Sequence, residues 1–410
     1  MNQVFSPSIF NQFLKEERKK RNLTISQLSE TLNQSTGYIS KLENSDFIVG
    51  NPKIEPLLQV YQLPNDYLTI LDEKIDQYAD NFLDDITFIS NDRSLSYQKI
   101  VDFMHDYKNT ILYKIVDVSH FISNTQNQII VTEKEIELLT ENISIFSDKI
   151  QSVIHIYIAS YYTLILDYLS AQIYYNKSLN NTIVCNKYAS LLYYHLALFY
   201  RNTHDSLKSL HYSDLATKGF AQTKNYKRLA NLKTITGLQY FDMRYFSKAL
   251  EVNLENLEEI QNLDIQFEKR SLLNNIAFIY FLQGNYEKAI EYYAQIDEAE
   301  MNEQHFYSYM LPLFITQDYI KAQEICEKGL AIAHLQYYQR LLNYFRQYFD
   351  DRNLSLLLKH LTNFYQRCDH HIDSFTKEEL LCLIIELLKQ DKQYKKALYY
   401  TEEKYHLSYK

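Results

Sequence analysis

Glycine and proline are scarce in this chain of 410 residues, with six and five copies. Tight turns and extended linkers draw on these two residues, so a chain this poor in both is expected to be mainly helix. No apolar run reaches the length that spans a bilayer. The opening stretch, MNQVFSPSIFNQFLKEERKK, lacks a charged-then-apolar signal layout. A cytoplasmic protein with no membrane partner is the expectation. The four cysteines (Cys185, Cys326, Cys368, Cys382) form no C-x-x-C pair, which argues for reduced, packed thiols. The run Cys368-Asp369-His370-His371 has the spacing of no common zinc site, so no metal is expected. A Gly-rich phosphate loop, G-x-S-x-G and H-E-x-x-H are all missing. Neither catalysis nor a cofactor is expected.

What is present is a folded-protein composition, 46% apolar and 23% charged, over a length that calls for two or more structural units. The formal charge of −9 is shared unevenly. Residues 1–65 hold seven Lys or Arg against six Asp or Glu; the remainder holds 35 against 45. An acidic body repels DNA, so any DNA contact should come from the N-terminal unit. That unit is only weakly basic, and the case rests on its pattern.

Three short helices can be read between Phe10 and Ser45. The first, from about Ser8 to Arg21, turns Phe10, Phe13 and Leu14 to one face and ends in a basic cluster of Lys15, Arg18, Lys19, Lys20 and Arg21. Asn22 ends it. Thr24, with Gln27 three residues on, has the form of a capping box for the second helix, whose inward face is Leu28 and Leu32. Gln34-Ser35-Thr36 breaks the pattern and offers caps for a third helix, with Ile39 and Leu42 inward. Two short helices across a three- to four-residue turn make a helix-turn-helix.

The stretch 10–68 resembles the lambda Cro/repressor-like (Xre) family. The matching residues are Leu14, Arg18, Leu23-Thr24, Leu28-Ser29, Leu32 and Ile39-Ser40-Lys41-Leu42-Glu43, continuing through Pro52, Leu57, Val60-Tyr61, Leu63 and Asp66-Tyr67-Leu68. The resemblance implies a five-helix domain whose third helix enters the major groove of double-stranded DNA. Carried over position by position, it implies Thr36, Gly37, Ser40 and Lys41 as base-facing residues, with Asn44 and Lys19 as further DNA contacts. Arg18 and Glu43 match a family pair that bridges the first and third helices. Two departures weaken the phosphate grip: Ile25 stands where the family often has a phosphate-contacting Gln, and the loop 44–51 is long and not basic. A homodimer reading two half-sites is therefore expected. The alternative is a helical bundle used only for protein contact.

Further along, Leu273–Tyr280 followed by Gly284-Asn285-Tyr286-Glu287-Lys288-Ala289 resembles a tetratricopeptide repeat: a small residue, a large one three later, an aromatic nine later and Ala twelve later. The same offsets recur from Ala159, Ala197, Gly237, Ala277, Met310, Phe345 and Ile385, the second and sixth sets being degenerate. Seven hairpins are expected from about residue 150 onward. Residues 71–150 read as a helical linker or degenerate repeats, with Tyr78, Phe82 and Ile86 spaced by four. The expected fold class is all-α: a lambda-repressor-like helix-turn-helix domain (1–70), the linker (71–150), and a right-handed tetratricopeptide-like α-solenoid (151–410) for sensing and dimerisation.

A DNA reader of this kind followed by such repeats resembles the RRNPP group (Rap, Rgg, NprR, PlcR, PrgX). The resemblance implies a transcription regulator of quorum-sensing type, whose repeats bind a short signalling peptide that changes how the dimer meets DNA. An extended peptide backbone needs donors and acceptors, which Asn side chains supply together. The candidates on the first helices of repeats are Asn231 and Asn274, then Gln304, Tyr307, Asn343 and Arg346, with Arg201 and Arg270 for a terminal carboxylate. The plainer reading of each is a solvated polar residue on a helix face. Two other functions fit the same layout: an adaptor acting on a partner protein, and a dimeric regulator that answers to no ligand.

Overall fold

In the computed structural model, residues 4–6, 9–44, 54–181, 186–262, 266–367 and 374–408 are described. They are helical throughout, apart from turns and one isolated antiparallel bridge between Phe5 and Phe146. The chain divides into two compact units, residues 1–235 and 236–410.

The first unit opens with four short helices, α1 (Ile9–Lys20), α2 (Ile25–Leu32), α3 (Thr36–Asn44) and α4 (Glu55–Val60). Thr24 caps α2 through the reciprocal bonds of a capping box, as its spacing predicts, and Asn33 closes α2 in the left-handed conformation. A long helix comes next, α5 (Tyr67–Thr87), so the expected limit at residue 70 falls inside a continuous helix. After it lie α6 (Arg93–Phe103), α7 (Lys114–Gln126) and α8 (Glu133–Glu141), then α9 (Asp148–Leu164), α10 (Tyr168–Asn181), α11 (Asn186–Asn202), α12 (Ser206–Gln222) and α13 (Tyr226–Asp242), in whose middle the division falls. One apolar core runs from Val4 and Phe13 through Leu71, Phe82 and Ile115 to Tyr157 and Leu191. Helices α1–α4 therefore share a core with α5–α9.

The second unit continues with α14 (Phe246–Glu259), α15 (Gln266–Leu282), α16 (Tyr286–Tyr293), α17 (Glu303–Ile315), α18 (Tyr319–Ile332), α19 (Gln336–Asp351), α20 (Leu354–Arg367), α21 (Ser374–Gln390) and α22 (Tyr394–Ser408). Helices α9 to α22 pair into the seven hairpins the repeat spacing predicts. Their small positions (Ala159, Ala171, Ala197, Ala249, Ala277, Ala289, Ala322) are fully buried where two helices close on each other. In the degenerate second repeat Ser209 takes such a place and donates its hydroxyl to the Ala197 carbonyl at 2.6 Å.

The turns explain how so few glycines suffice. Leu166, His204, Arg244, Gln317 and Lys392 all adopt the left-handed conformation, alongside Gly284. The next residue donates its N–H to the carbonyl five back, as in Asp167 to Tyr162, Asp205 to Tyr200 and Asp318 to Leu313. Its side chain then caps the following helix: Asp167, Asp205, Asn285 and Asp318 accept from the N–H groups of Ser170, Lys208, Lys288 and Lys321. A left-handed non-glycine residue costs about 1–2 kcal/mol, and each cap offsets about 1 kcal/mol of it.

Within the second unit, α17 is buried over residues 306–315 and α21 at Thr376 and over residues 378–385. A helix buried on every side is a core helix. Phe375 packs against Phe241 and Phe278, Glu378 pairs with Arg244 at 2.7 Å, and the Tyr338 and Thr376 hydroxyls lie 3.0 Å apart. Helix α21 thus covers the ends of α13 and α15 and lies against α17 and α19.

Candidate nucleic-acid interface and repeat face

Helix α3 is fixed from behind. Ile39 and Leu42 are buried, and Arg18 on α1 clamps Glu43 through two bonds, Nε to Oε1 at 2.6 Å and Nη2 to Oε2 at 3.0 Å. Arg18 also donates to the Leu23 carbonyl at 2.7 Å. Both partners are buried, at 7% and 3% exposure, and the bond to Glu43 raises the pKa of Arg18. The bridge between first and third helices is a fold element, as the resemblance implies.

Four implied DNA contacts lie on the outer side of α3: Thr36, Gly37 and Lys41 are exposed and Ser40 is half-buried. Ser35 prepares the helix start by accepting the Tyr38 N–H. Asn44 is exposed but engaged, donating to the Ser40 carbonyl at 2.7 Å and accepting from Lys15 Nζ at 2.9 Å. Lys19 is exposed and lines a polar cleft of about 510 Å³ beside Gln12, Glu16, Asn44 and Ser144. Most of the basic cluster on α1 is used internally: Arg18 on Glu43, Arg21 on Glu17 and the Tyr61 carbonyl, Lys15 on Asn44. Ile25 is half-buried against the core. Loop residues 45–51 lie outside the described residues.

The helix-turn-helix is also tied to the segments after it in the chain. The Ser6 N–H donates to the Ile145 carbonyl, the Ser147 N–H to the Val4 carbonyl, and Phe5 stacks on Phe146. Val4 donates to Asp76 on α5 at 2.6 Å, and Ile111 donates to Glu16 on α1 at 2.9 Å. Burial beside Asp72 and Asp80 pushes the Asp76 carboxyl up to about 7.

The expected peptide residues scatter. In the first unit, Asn231 is half-buried with an Oδ1 that finds no partner among the described residues, and Arg201 is half-buried at the end of α11. In the second unit, Asn274 is half-buried, Asn343 is half-buried and donates to the Gln339 carbonyl, and Arg346 is exposed. Arg270 donates to the Glu300 carbonyl at 3.0 Å, which ties it to a turn. Gln304 lines a shallow cleft of about 380 Å³ with Asn302, His334 and Tyr337. One expectation is corrected: Tyr307 has 0% exposure and packs on Tyr338. Its place in the repeat pattern matches a groove position, but α21 and α19 enclose α17 there. The run 368–371 lies outside the described residues, and Cys326 and Cys382 are buried free thiols.

Sequence reasoning missed Asn225 and Arg228 at the start of α13, both almost fully buried. Asn225 carries a local signal, the capping position of its helix. Arg228 carries none, because its acceptors are carbonyls about 140 residues away in sequence.

Comparison with known proteins agrees with this geometry. Residues 14–68 match the family model described as Helix-turn-helix. No curated protein sequence matches the chain. The apo form of the quorum sensor NprR from B. thuringiensis superposes with a TM-score of 0.61 at 16% identity, covering 82% of this chain and 99% of that one. NprR in complex with its cognate peptide NprX gives 0.53 at 16% identity, over 82% and 99%. A Rap protein complexed with Competence and Sporulation Factor gives 0.60 at 15% identity, over 82% and 97%. This chain therefore joins an N-terminal helix-turn-helix domain to helical repeats with the fold of the Rap and NprR proteins.

Proposed function

We propose that this protein is a DNA-binding transcription regulator of the RRNPP type whose repeats respond to a short peptide. The observation that carries the reading is a helix-turn-helix with Thr36, Gly37, Ser40 and Lys41 on its outer side, built into one core with α5–α8 and the first repeat helix α9. The likeness to NprR, solved with its peptide, supports the peptide as ligand. Asn231 is the best-placed clamp for a peptide backbone, since its buried Oδ1 lacks a donor. The internally engaged arginines of α1 leave few cations for phosphate, so one copy binds DNA weakly and a homodimer on two half-sites is required.

The test is a gel shift on the protein's own promoter, with and without a synthetic peptide encoded by a small neighbouring reading frame. Lys41→Ala should reduce specific affinity about tenfold. Asn231→Ala should abolish the peptide's effect while leaving helicity and basal DNA binding intact. Absence of a shift under every condition favours the second reading, an adaptor acting by protein contact. The internal use of Arg18, Arg21 and Lys15 is the observation in its favour.

A further inference from the structure

Helix α5 begins in the helix-turn-helix domain and ends against α13. Its first turns, Leu68, Leu71 and Ile75, belong to the same core as Phe13, Leu57 and Leu58. At its other end Phe88 donates to the Asp84 carbonyl and Ser90 to the Asp85 carbonyl, both at 2.8 Å, with Ile89 between them at φ 53°. Glycine is the usual residue in that left-handed place, and a β-branched side chain is strained there. Such an end persists only where its surroundings hold it.

Three side chains from one turn of chain hold it. Asn225 Nδ2 donates to the Thr87 carbonyl at 2.9 Å. Arg228 donates from Nε to the Thr87 carbonyl and from Nη2 to the Ile86 carbonyl, each at 3.0 Å. Lys227 Nζ reaches the Ile89 carbonyl at 3.3 Å. The Arg228 guanidinium lies over the Tyr194 ring at 4.5 Å and is 3% exposed. No carboxylate pairs with it among the described residues. A buried cation is tolerated here because the last carbonyls of a helix carry partial negative charge and the planar fork meets two of them. His195 stays neutral beside it, burial and the Arg228 charge holding its pKa down to about 3.

We propose that Arg228 is the positioning residue that couples the repeats to the helix-turn-helix, by gripping the strained C-terminal end of α5. One turn further along α13 stands Asn231, with its unpartnered Oδ1. A peptide that engages Asn231 moves α13, and Arg228 with it. The grip is then tightened or released, and α5 carries the change to the helix-turn-helix. This coupling rests on the DNA-binding and peptide-sensing function proposed for the chain. A cation that loses these carbonyls keeps only the Tyr194 ring beside it among the described residues, so a released grip leaves a buried charge poorly compensated.

Hydrogen exchange on the full chain tests this. In Arg228→Met the amides of Phe88 and Ser90 should exchange at least tenfold faster, while α3 and α17 keep their wild-type rates. Arg228→Lys, which keeps the charge and loses the fork, should fall between. Coupling is reciprocal, so promoter DNA added to the wild type should change exchange at residues 225–231 as well as in α3. In Arg228→Met the α3 protection should remain and the distant change should vanish, which a purely structural role would not produce. Unchanged rates at Phe88 and Ser90 overturn the proposal. So does a distant response that survives in the variant, or wild-type protection confined to α1–α4. If DNA protects nothing in the wild type, the DNA-binding reading fails instead, and the Phe88 and Ser90 rates still decide whether the grip exists. Should Arg228→Met accelerate exchange throughout, Arg228→Lys decides alone.

Discussion

The helix-turn-helix and the α17–α21 pair are stabilised by different means. The first four helices have 12, 8, 9 and 6 residues, each too short to be stable alone, and expose one side for recognition. They are held by a capping box, a buried ion pair and shared apolar contacts with α5. Helices α17 and α21, with 13 and 17 residues, are instead buried along most of their length, mainly among apolar neighbours. A recognition surface has to leave one side of its helices bare, so polar joints must replace burial there. A core helix has no such constraint. The helix-turn-helix is therefore sensitive to loss of single polar contacts, and the α17–α21 pair to loss of volume.

Removing the ion pair between α1 and α3 is the strongest way to break that contrast. Glu43→Ala leaves Arg18 buried at 7% exposure without its carboxylate. Breaking one side of a buried pair costs about 3–5 kcal/mol. Hydrogen exchange should show α1–α3 opening while α17 and α21 stay protected. If the second unit loosens to the same degree, the two regions are not separately stabilised.

Its counterpart lies in α21. Leu383 has 0% exposure, and Leu383→Ala should cost about 2–4 kcal/mol through lost burial and the cavity left behind. Denaturation followed by exchange should place the damage in residues 236–410 and spare the helix-turn-helix. A cost under about 1 kcal/mol would mean that α21 is loosely seated and that the inner side of α15 and α17 is accessible.

Much of this contrast is legible in the sequence. Thr24 with Gln27, and Arg18 with Glu43, are visible because cap and bridge sit at fixed offsets inside a motif. Most of the hairpins are visible because small residues recur where two helices touch, as at Ala159, Ala277 and Ala322. The pattern misplaces Tyr307 because it specifies a position within one hairpin and says nothing about a later helix, α21, lying over it. Arg228 escapes it for a related reason: backbone carbonyls leave no mark in a sequence, so a side chain that binds them across about 140 residues has no visible partner. The scarcity of glycine predicts helix correctly, yet the turns still use the left-handed conformation, with Leu166, His204 and Arg244 in it.

A pH dependence separates the tether of the helix-turn-helix from the apolar core. Asp76 has a folded pKa of about 7 against an ordinary 3.8, burial being the main cause. A raised carboxylate pKa means that the folded state holds the proton more tightly than the unfolded one. Stability from this group is thus greatest below the ordinary value and falls as pH rises through the window up to about 7. After allowance for partial exposure the effect should be about 1–2 kcal/mol. Asp76→Asn keeps an acceptor for the Val4 N–H and should remove this part of the slope between about pH 4 and 7. Equal slopes in variant and wild type would show that Asp76 does not titrate in this range.

The smallest expected effect concerns the end of α5. Ile89→Gly removes the left-handed strain of a β-branched residue, worth about 1–2 kcal/mol. It also forfeits the apolar contacts of a half-buried side chain, about 1 kcal/mol by area. The two nearly cancel, so the midpoint of denaturation should rise by less than about 1 kcal/mol equivalent. The informative quantity is the coupling with Arg228. If the grip exists to hold a strained end, Arg228→Met should cost less in the Ile89→Gly background than in the wild type, a difference of about 0.5 kcal/mol or more in a double-mutant cycle. Full additivity would mean that Arg228 binds the carbonyls of α5 independently of the strain at Ile89, and that relaxing the helix end does not release the helix-turn-helix.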